Sequence, residues 1–178
     1  IKQKSERFIV GGEKGSTINV DGKWKVIFEP NTADAYPALA LFNQKENNVS
    51  GTFLTETGDY RFLEGNSTKD SLYLSCFDGS HAFLFKAKLK NDSLFGDFFS
   101  GNHWKSEWVG ARNSSYQLAD PDKITQVLDT QVFHFETQTL KGENFVFPNE
   151  AYKNKVVIVQ IMGSWCPNCL DETQYYKT

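Results

Sequence analysis

Between about residue 16 and residue 112, short aromatic and β-branched runs alternate with clusters of Gly, Asn, Asp and Ser. The runs are Trp24 to Phe28, Ala38 to Phe42, Gly51 to Thr55, Tyr60 to Leu63, Leu72 to Phe77, Phe83 to Leu89, Leu94 to Phe99 and Trp104 to Val109. Between them lie Asp21-Gly22, Glu46-Asn47-Asn48, Thr57-Gly58-Asp59, Gly65-Asn66-Ser67, Asp78-Gly79-Ser80, Asn91-Asp92-Ser93 and Ser100-Gly101-Asn102. Such residues accept positive φ or hydrogen-bond their own backbone, which is what tight turns require. Turn signals recurring every roughly 8–12 residues are the rhythm of an antiparallel meander. Alternation then assigns faces: Phe83, Phe85, Ala87 and Leu89 share one side, and Leu84, Lys86 and Lys88 share the other. About eight strands joined by short turns predict an up-and-down barrel or a two-layer sandwich.

The pattern changes after residue 112. Asn113 to Asp122 is polar, carries Asp-Pro and reads as a linker. Val132 to Glu136 and Phe145 to Phe147 flank Lys141-Gly142 and predict a hairpin. Val156 to Ile161 is almost continuously apolar and β-branched, the signature of a strand covered on both faces in a parallel sheet. Gly163-Ser164-Trp165 breaks it, and Cys166 to Thr178 suits a helix with Pro167 in its first turn. The expected organisation is mainly β. Residues 1–118 form a barrel or sandwich domain, and residues 119–178 form the start of an α/β domain built from hairpin, strand and C-x-x-C helix.

Composition sharpens this picture in two ways. Fifteen Phe, 7 Tyr and 4 Trp against a single Met fit a sheet-built core, because flat and branched side chains pack well on a pleated surface. A net charge of −3 and a pI near 5.6 supply no basic field for nucleic acid. No stretch approaches the roughly 20 apolar residues of a membrane-spanning helix. The chain opens with Ile1-Lys2-Gln3, without an initiator Met, so processing upstream is expected, a secretory signal or a membrane tether included.

Chemistry concentrates in one place. Val156 to Cys169 reads as a buried strand, a tight turn and a C-x-x-C that opens a helix. Unpaired N–H groups and the helix dipole at that N-terminus favour a thiolate over a thiol. The Cys166 pKa is therefore expected below the usual value of about 8.5, making Cys166 the attacking nucleophile. Cys169 lies one helical turn on, within reach of a disulfide, and is placed to resolve a mixed disulfide. A zinc site is disfavoured, since there is no second cysteine pair and His81, His103 and His134 lack ligand spacing. Haem attachment fails because Leu170, not His, follows Cys169. No cofactor and no metal are expected. Cys76 reads as a small buried hydrophobe, and Asp171 as a surface residue.

Strand, Gly163-Ser164-Trp165-Cys166-Pro167-Asn168-Cys169 and the acid that follows resemble the active-site region of the TlpA/ResA-like branch of the thioredoxin superfamily. These are bacterial envelope thiol–disulfide oxidoreductases. The resemblance takes in the hairpin and Lys153-Asn154-Lys155, roughly residues 130–178. It implies an exposed nucleophile at Cys166, a buried resolving thiol at Cys169, and an acid at Glu172 that tunes thiol reactivity. For Glu172 a solvated helix acid is an equally good reading. Trp165 and Pro167 are expected to line the substrate contact, with plain packing an equal alternative for Trp165. The implied partners are a protein disulfide or dithiol and an upstream electron donor, in the periplasm or envelope. A complete thioredoxin fold continues beyond the C-x-x-C helix with further strands and a cis-proline loop, so residues 1–178 alone are expected to be weak or inactive as a reductase. The β-domain has a different resemblance: Gly22-Lys23-Trp24 is similar to the Gly-x-Trp of lipocalin-like barrels, which implies a binding module for an apolar ligand or partner as the competing function.

Overall fold

The computed structural model describes residues 17–126 and 132–177; Ile1-Lys2-Gln3 and Thr178 lie outside the described residues. The chain divides into two compact units, Ile1–Ala119 with Ser164–Thr178, and Asp120–Gly163.

The first unit is built on a closed antiparallel barrel. Its strands are β1 (Gly22–Phe28), β2 (Tyr36–Lys45), β3 (Asn48–Thr55), the two-residue β4 (Gly58–Asp59), β5 (Leu63–Ser67), β6 (Ser71–Phe77), β7 (Ala82–Lys90), β8 (Ser93–Ser100) and β9 (Trp104–Arg112). Pairing runs β2-β1-β9-β8-β7-β6-β5-β3, and β2 with β3 closes the ring of eight, with β4 appended to β3. Closure leaves no open edge to aggregate. Of the barrel and the sandwich, the barrel forms.

Inward positions alternate as the sequence predicts. Trp24, Val26 and Phe28 of β1, Phe53 of β3, Leu72 and Leu74 of β6, Phe85 of β7 and Leu94 of β8 are fully or almost fully buried. Rings meet along the interior: Phe53 stacks on Phe85 at 4.6 Å and Phe85 on Phe98 at 4.5 Å, while Trp108 meets Phe53 edge-on at 5.2 Å. Each fully buried side chain of this size contributes about 1.5–3 kcal/mol.

The ring at Trp108 is accommodated by Gly96, its cross-strand partner, where a Cβ would stand 2.4 Å from the indole. Aromatic bulk on one strand thus requires its absence on the next.

One strand departs from the sequence reading. Tyr60 to Phe62 is not strand, and Gly65-Asn66-Ser67, read as a turn, is the body of β5. Tertiary partners override the local turn chemistry. A Cβ at Gly65 would lie 1.8 Å from the Tyr73 carbonyl oxygen, so only glycine admits β6 at this register. Buried Asn66 donates to Asn48 Oδ1 at 3.1 Å, and the Ser67 N–H donates to the Asn47 carbonyl at 2.8 Å.

The two ends of the barrel are closed differently. Where β1 begins, residues 18–20 cross the opening. Gln44 holds them: its Oε1 accepts the Val20 N–H at 2.7 Å and its Nε2 donates to Ile18 O at 2.9 Å. Trp24 donates its indole N–H to Val20 O at 2.8 Å, and the Arg112 guanidinium lies 4.3 Å from the Trp24 ring while donating to Asn19 O at 2.7 Å. Gly22-Lys23-Trp24 therefore has a structural use in sealing this end. At the opposite end the Tyr36 and Tyr60 hydroxyls meet at 2.8 Å, and burial pushes both phenol pKa values upward.

The second unit holds a one-turn helix α1 (Pro121–Ile124) and the predicted hairpin. Asp120 caps α1 by accepting the Asp122 N–H, with Pro121 at the first helical position. In the hairpin, β10 (Phe135–Gln138) pairs with β11 (Asn144–Phe147), and Phe135 stacks on Phe147 at 5.4 Å. Val156 to Ile161, expected as a doubly covered strand, does not form one, and Val156 and Ile161 are 97% and 98% exposed. A strand exists only when a neighbouring strand pairs with its N–H and C=O groups, and among the described residues no ladder takes in this segment.

Candidate functional site

The predicted helix forms as α2 (Pro167–Tyr175), with Cys166 as its N-cap in extended backbone conformation. Pro167 occupies the first helical position, where no intrahelical N–H is needed. The Cys166 and Cys169 sulfurs are in bonding contact as a disulfide, with their Cα atoms 5.3 Å apart. The Cys169 N–H points at Cys166 Sγ from 3.3 Å, so a helix-terminal donor addresses the sulfur that caps it. Helix bonding begins with the Leu170 N–H donating to Cys166 O at 3.1 Å, and Thr173 Oγ1 donates to Cys169 O at 2.8 Å. Both cysteines are half-buried, and Trp165 beside them is 69% exposed.

The other predicted residues fall around this pair. Glu172 is exposed and accepts the Tyr176 hydroxyl at 2.8 Å, which raises the Tyr176 pKa. Asp171 is exposed but engaged: Arg61 donates to its Oδ2 at 2.9 Å. Cys76 lies on β6, packs against the core and donates its S–H to Tyr60 O at 3.5 Å. Among the described residues, no group of three or more His, Cys, Asp and Glu is placed to hold a metal ion.

No protein-family model matches the chain, and neither a curated protein nor a solved structure does.

Arg61 escapes the sequence reading, and so does the contact it makes with Asn168. Arg61 lies in the loop between β4 and β5, with φ of 62° and its N–H donating to Asp59 Oδ1 at 2.7 Å. A left-handed backbone at a long side chain is uncommon, and here the Asx turn fixes it. The fixed backbone sends the guanidinium to α2, where one nitrogen donates to both Asn168 Oδ1 at 2.6 Å and Asp171 Oδ2 at 2.9 Å. The hydrogen bond to Asp171 raises the Arg61 pKa, with Asp59 and Asp78 adding to it through their charge. Asn168 is the second residue between the cysteines, so the barrel touches the C-x-x-C itself. Sequence offers one hint only: Asn168 and Asp171 are three apart and share a helix face. Nothing local in Tyr60-Arg61-Phe62 marks the residue that meets them.

Proposed function

We propose that this chain carries a thiol–disulfide oxidoreductase centre of the TlpA/ResA-like kind. The observation that carries the reading is a pair of bonded cysteines at a helix N-terminus, with the first acting as N-cap and receiving an amide N–H on its sulfur. In the reduced protein, N–H donors and the helix dipole stabilise a Cys166 thiolate. That thiolate attacks one sulfur of a substrate disulfide, forming a mixed disulfide and expelling one substrate thiolate. Cys169, losing its proton, attacks Cys166 Sγ and expels the second substrate thiolate. Two electrons pass to the substrate, and Cys166–Cys169 is left oxidised until an upstream dithiol reduces it. Glu172, one turn from Cys169, is the acid proposed to exchange the resolving thiol's proton. Trp165 and Pro167 offer the surface on which the substrate sulfur approaches. The proposed setting is the bacterial envelope, with protein disulfides as substrates.

The competing reading is a lipocalin-like binding module. Ligand-holding barrels keep an open interior. Here Phe53, Phe85, Phe98 and Trp108 occupy that space, which supports the redox reading.

Iodoacetamide alkylation of the reduced chain across pH tests the proposal. The expected result is a Cys166 titration well below about 8.5, the ordinary thiol value, and its loss in Cys166→Ser. An ordinary value for Cys166, together with co-purified lipid, overturns the redox reading in favour of the binder.

A further inference from the structure

We infer that Arg61 of the barrel is a positioning residue for the dithiol, holding the first turns of α2 and keeping the charge beside Cys166 in balance. The inference rests on the proposed thiol–disulfide function and gives the β-barrel a part in it.

Asn168 and Asp171 flank Cys169, and a single guanidinium nitrogen bonds both, at 2.6 and 2.9 Å. These contacts cross 107 and 110 residues of sequence, so they tie the redox helix to a loop of the barrel. Gly58, in the adjoining strand β4, is close as well: a Cβ there would be 3.5 Å from Asn168 Nδ2. The loop is not free to drift. Asp59 holds the Arg61 N–H, the Tyr60 N–H donates to Phe53 O at 3.0 Å, and the Tyr60 ring packs against Phe85 at 5.2 Å and Phe98 at 5.1 Å.

The electrostatic consequence has a definite sign. Three carboxylates face Arg61: Asp171 of α2, Asp59 at the end of β4 and Asp78 of the turn between β6 and β7. Arg61 is the cation set among them. Asp78 keeps His81 at 3.1 Å, but without Arg61 the charges of Asp171 and Asp59 lose their shared cation near the start of α2, where a Cys166 thiolate must form. The reduced state is then disfavoured and the equilibrium moves toward the disulfide. Removing the Asp171 charge while keeping Arg61 moves it the other way. A purely structural latch has no such antisymmetry, because losing either partner of one contact loosens the helix alike.

The test is a glutathione redox titration of the whole chain as wild type, Arg61→Ala, Arg61→Lys and Asp171→Asn, with near-UV circular dichroism to monitor the barrel. Arg61→Ala is expected to shift the equilibrium toward the disulfide by about tenfold, about 30 mV for a two-electron couple, and to slow alkylation of Cys166 at neutral pH. Asp171→Asn is expected to shift it the opposite way. Arg61→Lys, which keeps the charge but replaces the rigid planar guanidinium with an ammonium on a flexible stem, should fall between Arg61→Ala and wild type. If Arg61→Ala loses its near-UV signal, Arg61→Gln is read in its place with the same expectation. An uncharged variant that titrates like wild type, or an Asp171→Asn shift in the same direction as Arg61→Ala, overturns the inference and leaves the redox function standing. A wild-type chain that exchanges no electrons with glutathione overturns both.

Discussion

Strand β7 and the segment Val156 to Ile161 are similarly rich in apolar residues, yet one lines a barrel and the other lies open. Phe85 of β7 is wholly buried between two paired strands, whereas Ile161 is 98% exposed in a stretch with no ladder among the described residues. The difference lies in the neighbours rather than in the residues themselves. Alternation in β7 matches a register already fixed by β6 and β8, so the inward rings Phe83 and Phe85 meet other rings. An unbroken apolar run specifies a strand only where a sheet is present to cover both its faces.

The largest effect that tests this contrast is a truncation made once on each side of it. Phe53→Ala, in the middle of the ring contacts, is expected to cost about 3–5 kcal/mol. Ile158→Ala, in the open segment, should stay within about 0.5 kcal/mol. Urea unfolding followed by tryptophan fluorescence measures both, and similar midpoints for the two variants would remove the distinction. Of intermediate size is a pair of glycine substitutions. Gly65→Ala drives a methyl into the Tyr73 carbonyl and should cost about 1–3 kcal/mol or more. Gly142→Ala, in the hairpin turn, meets no atom within 4 Å and carries only the strain of its φ of +80°, on the order of 1 kcal/mol. Equal losses would show that register at β5 does not depend on that close approach.

The smallest effect concerns the outside of the barrel. Partial burial pulls the Asp97 pKa upward, but Lys105 and Lys86, at 3.0 and 3.1 Å, outweigh it and leave the carboxyl below its ordinary value. Its stabilising contribution is then present above the unfolded carboxylate range, near about pH 4, and is lost as pH falls through the lower folded value. Asp97→Asn should flatten that acid limb by no more than about 1 kcal/mol, as measured by thermal melts between neutral and acid pH. An unchanged limb would mean that the lysines do not hold the carboxylate in solution.

Most of the barrel is legible in the sequence because its turns and alternation are local signals. Seven of the runs, from Trp24 to Phe28 through Trp104 to Val109, coincide with strands, and the exception is instructive. Gly65-Asn66-Ser67 has the chemistry of a turn, but its glycine serves close strand approach and its polar groups bond across to the segment where β3 begins. Those uses depend on residues far along the chain. The candidate site divides the same way. Cys166, Pro167 and Cys169 announce a helix start and a disulfide within a few residues. Arg61 becomes visible only when the fold brings the loop before β5 against α2.

Tyr60 and Arg61 are consecutive residues that look in opposite directions. The phenol ring is seated among Phe28, Phe85 and Phe98, and the guanidinium reaches out to Asn168 and Asp171. One peptide unit therefore works as a lever whose short arm is clamped by the aromatic interior and whose long arm rests on the sulfur-bearing helix. If the Arg61 latch acts on the dithiol as inferred, substitutions at Phe28 or Phe98 that shift the Tyr60 ring are expected to change the Cys166 titration as well, read by the same alkylation measurement.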